Sequence, residues 1–288
     1  MKLTPLKDRA AQRSGLAFTL LELLTVLAII GIITAIALPT IQSFRPDPTA
    51  VAGRQILDAV SRARQLAISQ RTTVYLVFVP TNFWNDPSYN KNWTAQDLRR
   101  ASNLFDKQLI GYNFVSLRSL GDQPGRPTAH YLSSWRTLPD GAFIPLEKFF
   151  RRDLTKPVLT IVTNDSGGVQ RTAFRVLGFN TTTNIPFPYE TTAPANSTRP
   201  YIALPFLSFN YLGQLENGQN DLIPIAKGSV NFQRDPAIGV GAPVNPSITY
   251  AAPREQPTPT GLMTNTSFQV VNIDWLTGRA RLEHMEVR

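Results

Sequence analysis

The stretch DPTAVAGRQILDAVSRARQLAISQRTTVYLVFV, Asp47 to Val79, holds the change of period on which the fold turns. Asp47 followed by Pro48 predicts a helix start, with a carboxylate to accept orphan amides and a proline at the first helical position. From Thr49 to Gln70, Ala52, Ile56, Ala59, Val60, Ala63 and Ala67 recur at helical spacing, while Arg54, Asp58, Arg62 and Gln65 mostly avoid that face. Past Arg71 the pattern changes to a short run rich in β-branched and aromatic residues, Val74 to Val79, which predicts a strand. A helix with one apolar face, leading straight into a strand, predicts a helix laid on a sheet.

Further along, runs at Val158–Thr163, Arg171–Phe179, Tyr201–Phe209, Ser229–Gln233, Phe268–Ile273 and Arg279–Val287 read as strands. Asn164-Asp165-Ser166-Gly167-Gly168 marks a hairpin between the first two. The 23 Pro and 17 Gly, mostly after residue 80, predict loop-rich β architecture, with long surface loops at Asn180–Pro200 and Asp235–Thr260. Residues 81–157 carry weaker patterning; Trp93 and Trp135 there are expected to pack rather than bind.

Upstream of Asp47 the character changes. Residues 1–17 are basic, with Lys2, Lys7, Arg9 and Arg13 against Asp8. Residues 18–44 carry one charge, Glu22, and from Leu23 to Leu38 every residue is apolar, Gly or Thr. A helix over 18–44 would be roughly 40 Å long, enough to span a bilayer, and the basic flank predicts a cytoplasmic amino terminus. A carboxylate in such a segment costs about 2.5–3.5 kcal/mol at a helix centre, and less near an interface, so it needs an explanation. Thr19-x-x-Glu22 fits a capping box. If the chain were cut before Phe18, the new α-amino group of one subunit could also neutralise Glu22 of a neighbour and give register to otherwise featureless apolar packing.

Phe18-Thr19-Leu20-Leu21-Glu22-Leu23-Leu24 after a short basic leader resembles the processing motif of type IV pilins and type II secretion pseudopilins. The resemblance implies cleavage between Ala17 and Phe18 by a prepilin peptidase, N-methylation of Phe18, and a subunit-assembly role for Glu22. Ala17 departs from the Gly usual before the cut. Ser61-Arg-Ala-Arg-Gln-Leu-Ala-Ile68 leading into the Val74–Val79 strand, and the later FLSFNYLGQL, narrow the likeness to minor pseudopilins of the GspH/FimT kind. The fold this implies is α+β, a long N-terminal, partly transmembrane helix packed on a β-rich pilin-like domain. Its organisation would be a leader at 1–17, an assembly helix at 18–44, and an amphipathic helix plus periplasmic domain at 45–288. The implied protein sits in the inner membrane as a single-pass precursor and then joins a secretion pseudopilus or a type IV pilus. Its partners would be the peptidase, other pilin or pseudopilin subunits, inner-membrane lipid, and secreted cargo or DNA.

Chemistry beyond assembly is sparse. Cysteine is absent, which excludes disulfides and thiolate metal sites, and His130 and His284 stand far apart in the chain. No nucleophile elbow or phosphate loop is present, so neither an enzymatic role nor a cofactor is expected. The net charge of +9, roughly +6 outside the leader, favours acidic partners. Gly278-Arg279-Ala280-Arg281 near the carboxyl end offers a candidate. On a strand Arg279 and Arg281 would lie on one face about 7 Å apart, near the spacing of successive phosphates. The same motif resembles the DNA-uptake branch of the GspH/FimT family. The alternative is a hairpin closed by Gly278, with surface arginines beside Glu283 and Glu286.

Overall fold

The computed structural model describes residues 20–43, 47–89, 93–118, 122, 128–164, 170–191, 201–231, 247–251 and 267–286. The chain divides into two units, Met1–Pro46 and Asp47–Arg288. In the first, α1 runs from Leu20 to Ser43, and Leu20 to Ile33 leave large apolar side chains exposed.

The second unit begins with α2, Pro48–Gln70. Asp47 has extended backbone (φ −62°, ψ 118°) and caps the helix, its carboxylate accepting the Thr49 amide at 3.3 Å and the Thr49 hydroxyl at 2.7 Å. Arg71 closes it in the left-handed region (φ 49°), its amide bonded to the Ala67 and Ile68 carbonyls. The helix therefore starts and stops on its own signals.

The start of α2 follows the sequence, whereas the expected fold is corrected at its long N-terminal helix. Among the described residues no helix is long and apolar enough to cross a membrane. Instead of one long helix that is partly transmembrane and packed on the domain, there are α1, the separate 23-residue α2, and a short α3, Ala95–Ser102. The cause at the second start is local: a residue before proline is pushed out of the α region, so Asp47 begins a new helix rather than continuing an earlier one.

Strands β1 (Val74–Phe78), β2 (Gly111–Ser116), β3 (His130–Tyr131), β4 (Arg136–Thr137) and β5 (Ala142–Phe143) precede β6 (Leu159–Asn164) and β7 (Gln170–Val176). They are followed by β8 (Asn180–Thr182), β9 (Leu204–Phe209), β10 (Asp221–Asn231), β11 (Ser247–Ala251), β12 (Ser267–Ile273) and β13 (Ala280–Glu286). One antiparallel sheet has the order β3-β2-β1-β9-β8, with β4 also on β2; a second runs β11-β10-β12-β13, with β5 also on β10. The β6–β7 pair stands apart as an antiparallel ribbon, and the residues expected to turn it, 165–168, lie outside the described set.

The apolar face of α2 closes both sheets. Ala52, Ile56, Ala59, Val60, Ala63 and Ala67 share one core with Leu76 and Phe78 of β1, Phe114 of β2, Phe209 of β9, Ile223 of β10 and Val271 of β12. Small residues allow this approach: a Cβ at Gly53 would stand 2.6 Å from Leu282 Cδ1. The β1 run is apolar throughout because its other face is also covered. Val77 and Val79 join Phe83, Trp93, Phe105, Val115, Phe187 and Ile202 in a second cluster. Trp93 is buried there, and Trp135 donates its indole N–H to the Pro188 carbonyl at 2.9 Å.

Candidate functional site

The N-terminal motif is only partly within the described residues. Ala17 and Phe18, the expected cleavage and methylation positions, and Thr19 of the capping box lie outside them. Glu22 sits in the first turn of α1, and its carbonyl accepts the Thr25 hydroxyl at 2.9 Å. A carboxylate in a first turn faces the positive end of the helix dipole, a stabilisation of about 0.3–1 kcal/mol that needs no second subunit. Around it Leu20, Leu21, Leu23, Leu24 and Leu27 are exposed on every side of the helix. A helix that is apolar all round demands cover from elsewhere.

At the other end of the chain, Gly278 (φ 61°) opens the connection into β13. Arg279 and Arg281 are both exposed, and Arg281 stands opposite Asn272 of β12. Asp274 feels the positive charge of Arg281, although the main force holding its carboxyl below the usual range is the hydrogen bond from the Thr277 hydroxyl. Glu283 accepts from the Asn272 amide at 3.0 Å. The two arginines therefore share their surface with two carboxylates.

Two polar clusters escaped the sequence reading. In the first, Lys148, on a short 3-10 turn at Leu146–Phe149, is wholly buried. Its Nζ lies 2.5 Å from Asp221 Oδ1, at the start of β10, donates to the Leu177 carbonyl at 2.8 Å, and sits 4.6 Å from the Phe179 ring centre. Arg152 Nη1 takes the other Asp221 oxygen at 2.7 Å. Burial pulls the Lys148 amine down, while Asp221 pushes it back up. In the second, His130 Nε2 is 3.4 Å from Asp122 and its Nδ1 is 3.5 Å from Glu190. Among the described residues no group of His, Cys, Asp and Glu could hold a metal ion. His284 lies opposite Gln269 in the β12–β13 pair.

A third feature is apolar. The turn after β9 and the turn between β12 and β13 lie against each other at the C-terminal end of α2. Leu215 N–H donates to the Trp275 carbonyl at 2.9 Å, and Arg64 Nε donates to the Thr277 carbonyl at 2.8 Å. Contact is close enough that a Cβ at Gly278 would collide with the Gly213 carbonyl oxygen. Tyr211, Leu212, Trp275, Leu276 and Ile68 are all exposed at this end. No family model matches the chain, and comparison with curated proteins and with solved structures returns no significant match.

Proposed function

We propose that the chain is a minor pseudopilin-like subunit whose work is assembly rather than catalysis. A prepilin peptidase cuts between Ala17 and Phe18 and methylates the new amine. The subunit waits at the inner membrane with its β domain on the periplasmic side, then joins a type II secretion pseudopilus or a type IV pilus. The observation that carries this reading is the pairing of Phe18 with Glu22, four residues on, in a segment otherwise free of charge.

Physical chemistry supports the role. In the apolar contact between subunits, where one greasy surface resembles another, the amine created at Phe18 offers a cation to the Glu22 carboxylate of a neighbour. Glu22 then sets the register in which one copy docks on the next. Burying the Leu20–Ile33 surface of α1 supplies the affinity, and the ion pair selects the geometry.

Mass spectrometry of the chain extracted from membranes tests the proposal. A chain beginning at methylated Phe18 is the expected result; one that begins intact at Met1 overturns it.

A further inference from the structure

The edge of a sheet offers unpaired backbone groups to any passing strand, and most edges are kept short or blunted with charge. In the first sheet the end strands are brief: β3 has two residues and β8 three. β13 is different. It closes one side of the second sheet, runs for seven residues from Ala280 to Glu286, and among the described residues pairs only with β12.

The turn into β13 fixes which of its backbone groups face outward. The Asp274 amide donates to the Arg279 carbonyl at 3.0 Å, so these two residues form a hydrogen-bonded pair of the antiparallel ladder. Such pairs recur at every second residue. With Asn272 opposite Arg281 and Val270 opposite Glu283, residues 281 and 283 turn their N–H and C=O toward β12. Ala280, Leu282 and His284 therefore turn theirs to the outer edge. Side chains alternate as well: Leu282 packs toward Gly53 of α2, whereas Arg281 and Glu283 share the opposite face with Asn272.

A second β13 laid antiparallel along this edge must bring outward-facing residues opposite one another, which a two-fold axis through a single residue does. With the axis at Arg281 the two arginines oppose each other, and with the axis at Glu283 the two glutamates do. With the axis at Leu282, Arg281 of each copy stands opposite Glu283 of the other. Axes nearer either end of the strand shorten the overlap. In the Leu282 register the charged positions are the non-hydrogen-bonded pairs, where Cα atoms are about 4.5 Å apart and side chains approach most closely. Opposite charges there favour pairing, and like charges oppose it. Arg281 is exposed, and among the described residues its guanidinium forms no ion pair, although its charge is felt at Asp274. Glu283 has Oε1 engaged by Asn272. Edge charges commonly keep other strands away. Here they alternate in sign, so they deter a generic strand while matching a second copy.

We propose that β13 is a self-recognition edge, through which two copies of the Asp47–Arg288 unit join antiparallel about Leu282 into one continuous sheet. Leu282 exchanges both backbone hydrogen bonds with its counterpart at the axis, Ala280 and His284 exchange theirs on either side, and two Arg281–Glu283 pairs fix the register. The inference goes beyond the pseudopilin reading and does not rest on it.

The chain contains no cysteine, so Arg281→Cys and Glu283→Cys each carry a single thiol. The full-length variants are held in mild detergent at about 0.1 mM, enough to populate a dimer of sub-millimolar affinity, and oxidised separately and as an equal mixture. Positions 281 and 283 of opposite copies fall within disulfide reach, whereas two copies of either position lie two residues out of register and beyond it. The expected result is disulfide-linked dimer in the mixture at least about tenfold above either variant alone. In sedimentation of the detergent-solubilised chain, Arg281→Glu should weaken dimerisation at least about fivefold, and adding Glu283→Arg should restore it. A mixture that links no better than the single variants overturns the proposal, including any association made through the N-terminal helix alone. So does preferential linking of Arg281→Cys to itself, which would set the arginines face to face, or a charge-exchanged double variant that fails to recover.

Discussion

Replacing Asp221 by Asn keeps the size and one carbonyl oxygen of the side chain but removes the carboxylate that, among the described residues, pairs with two buried cations. Lys148 is 0% and Arg152 8% exposed at the side chain, and both reach Asp221, which is itself only 2% exposed. Unpairing a buried charge costs about 3–5 kcal/mol, because the surviving partner keeps its desolvation penalty without its attraction. Here two partners survive, and Arg152 Nη2 already lacks a hydrogen bond, so little slack remains to absorb the change. At about 2–4 °C per kcal/mol for a domain of this size, the melting temperature should fall by about 10 °C. The assay is thermal unfolding of the full-length protein in mild detergent, followed by near-ultraviolet circular dichroism. Lys148→Met is the informative control: it leaves Asp221 paired with Arg152 and puts an apolar chain among Phe149 and Phe179, so it should cost under about 2 kcal/mol. If Asp221→Asn melts within about 2 °C of the wild type, or Lys148→Met proves the worse of the two, the cluster is not held by its central carboxylate and the reasoning fails.

Four further outcomes follow from the geometry. Gly278→Ala forces a side chain at φ 61° against the Gly213 carbonyl and should cost at least about 2 kcal/mol in denaturant unfolding, with the two turns separating. Asp47→Ala removes the cap of α2 and should cost about 1 kcal/mol in the same experiment. Glu22→Gln should leave the amount of protein and its amino-terminal mass unchanged while incorporation into filaments, followed by shearing and immunoblotting, falls at least about tenfold; equal incorporation would count against the proposed ion pair. If Arg279 and Arg281 contact DNA, their double Ala variant should lower the slope of log affinity against log salt by about 2, whereas an unchanged slope assigns both arginines to plain surface.

Where a single physical signal ruled, the sequence was readable. Asp47-Pro48 and the Ala/Ile/Val face predict a helix over Thr49–Gln70, and α2 is Pro48–Gln70. The runs at 158–163, 268–273 and 279–287 fall on β6, β12 and β13 within a few residues. Boundaries slipped where proline or glycine interrupted the pattern. Ser229–Gln233 catches only the end of β10, because Pro224 and Gly228 break a run that the ladder nonetheless continues, with Pro224 opposite Val270. The β2 strand went unread within residues 81–157. All six of its residues are buried, so it has no polar alternation to mark it, and Gly111 and Asn113 disguise it as loop.

The misjudged and unseen features share a cause, since each depends on something other than one element's own periodicity. The long, partly transmembrane N-terminal helix came from the family resemblance and not from the residues, whose Asp47-Pro48 pair already predicts a separate start for α2, because capping is a local competition. Lys148 looks like an ordinary surface lysine beside Glu147, and only the fold sets it against Asp221, 73 positions later, in a space closed by Phe179. Tyr211-Leu212 and Trp275-Leu276 are each unremarkable in sequence; they become one edge because Leu215 and Trp275 share a backbone hydrogen bond and Arg64 reaches Thr277. For this chain, helix faces and caps belong to local sequence, whereas the buried charge cluster and the apolar edge at the C-terminal end of α2 arise from long-range pairing. Substitutions that leave every local propensity intact, such as Asp221→Asn or Tyr211→Ser, are therefore the ones that separate a correctly formed α2 from a correctly assembled domain.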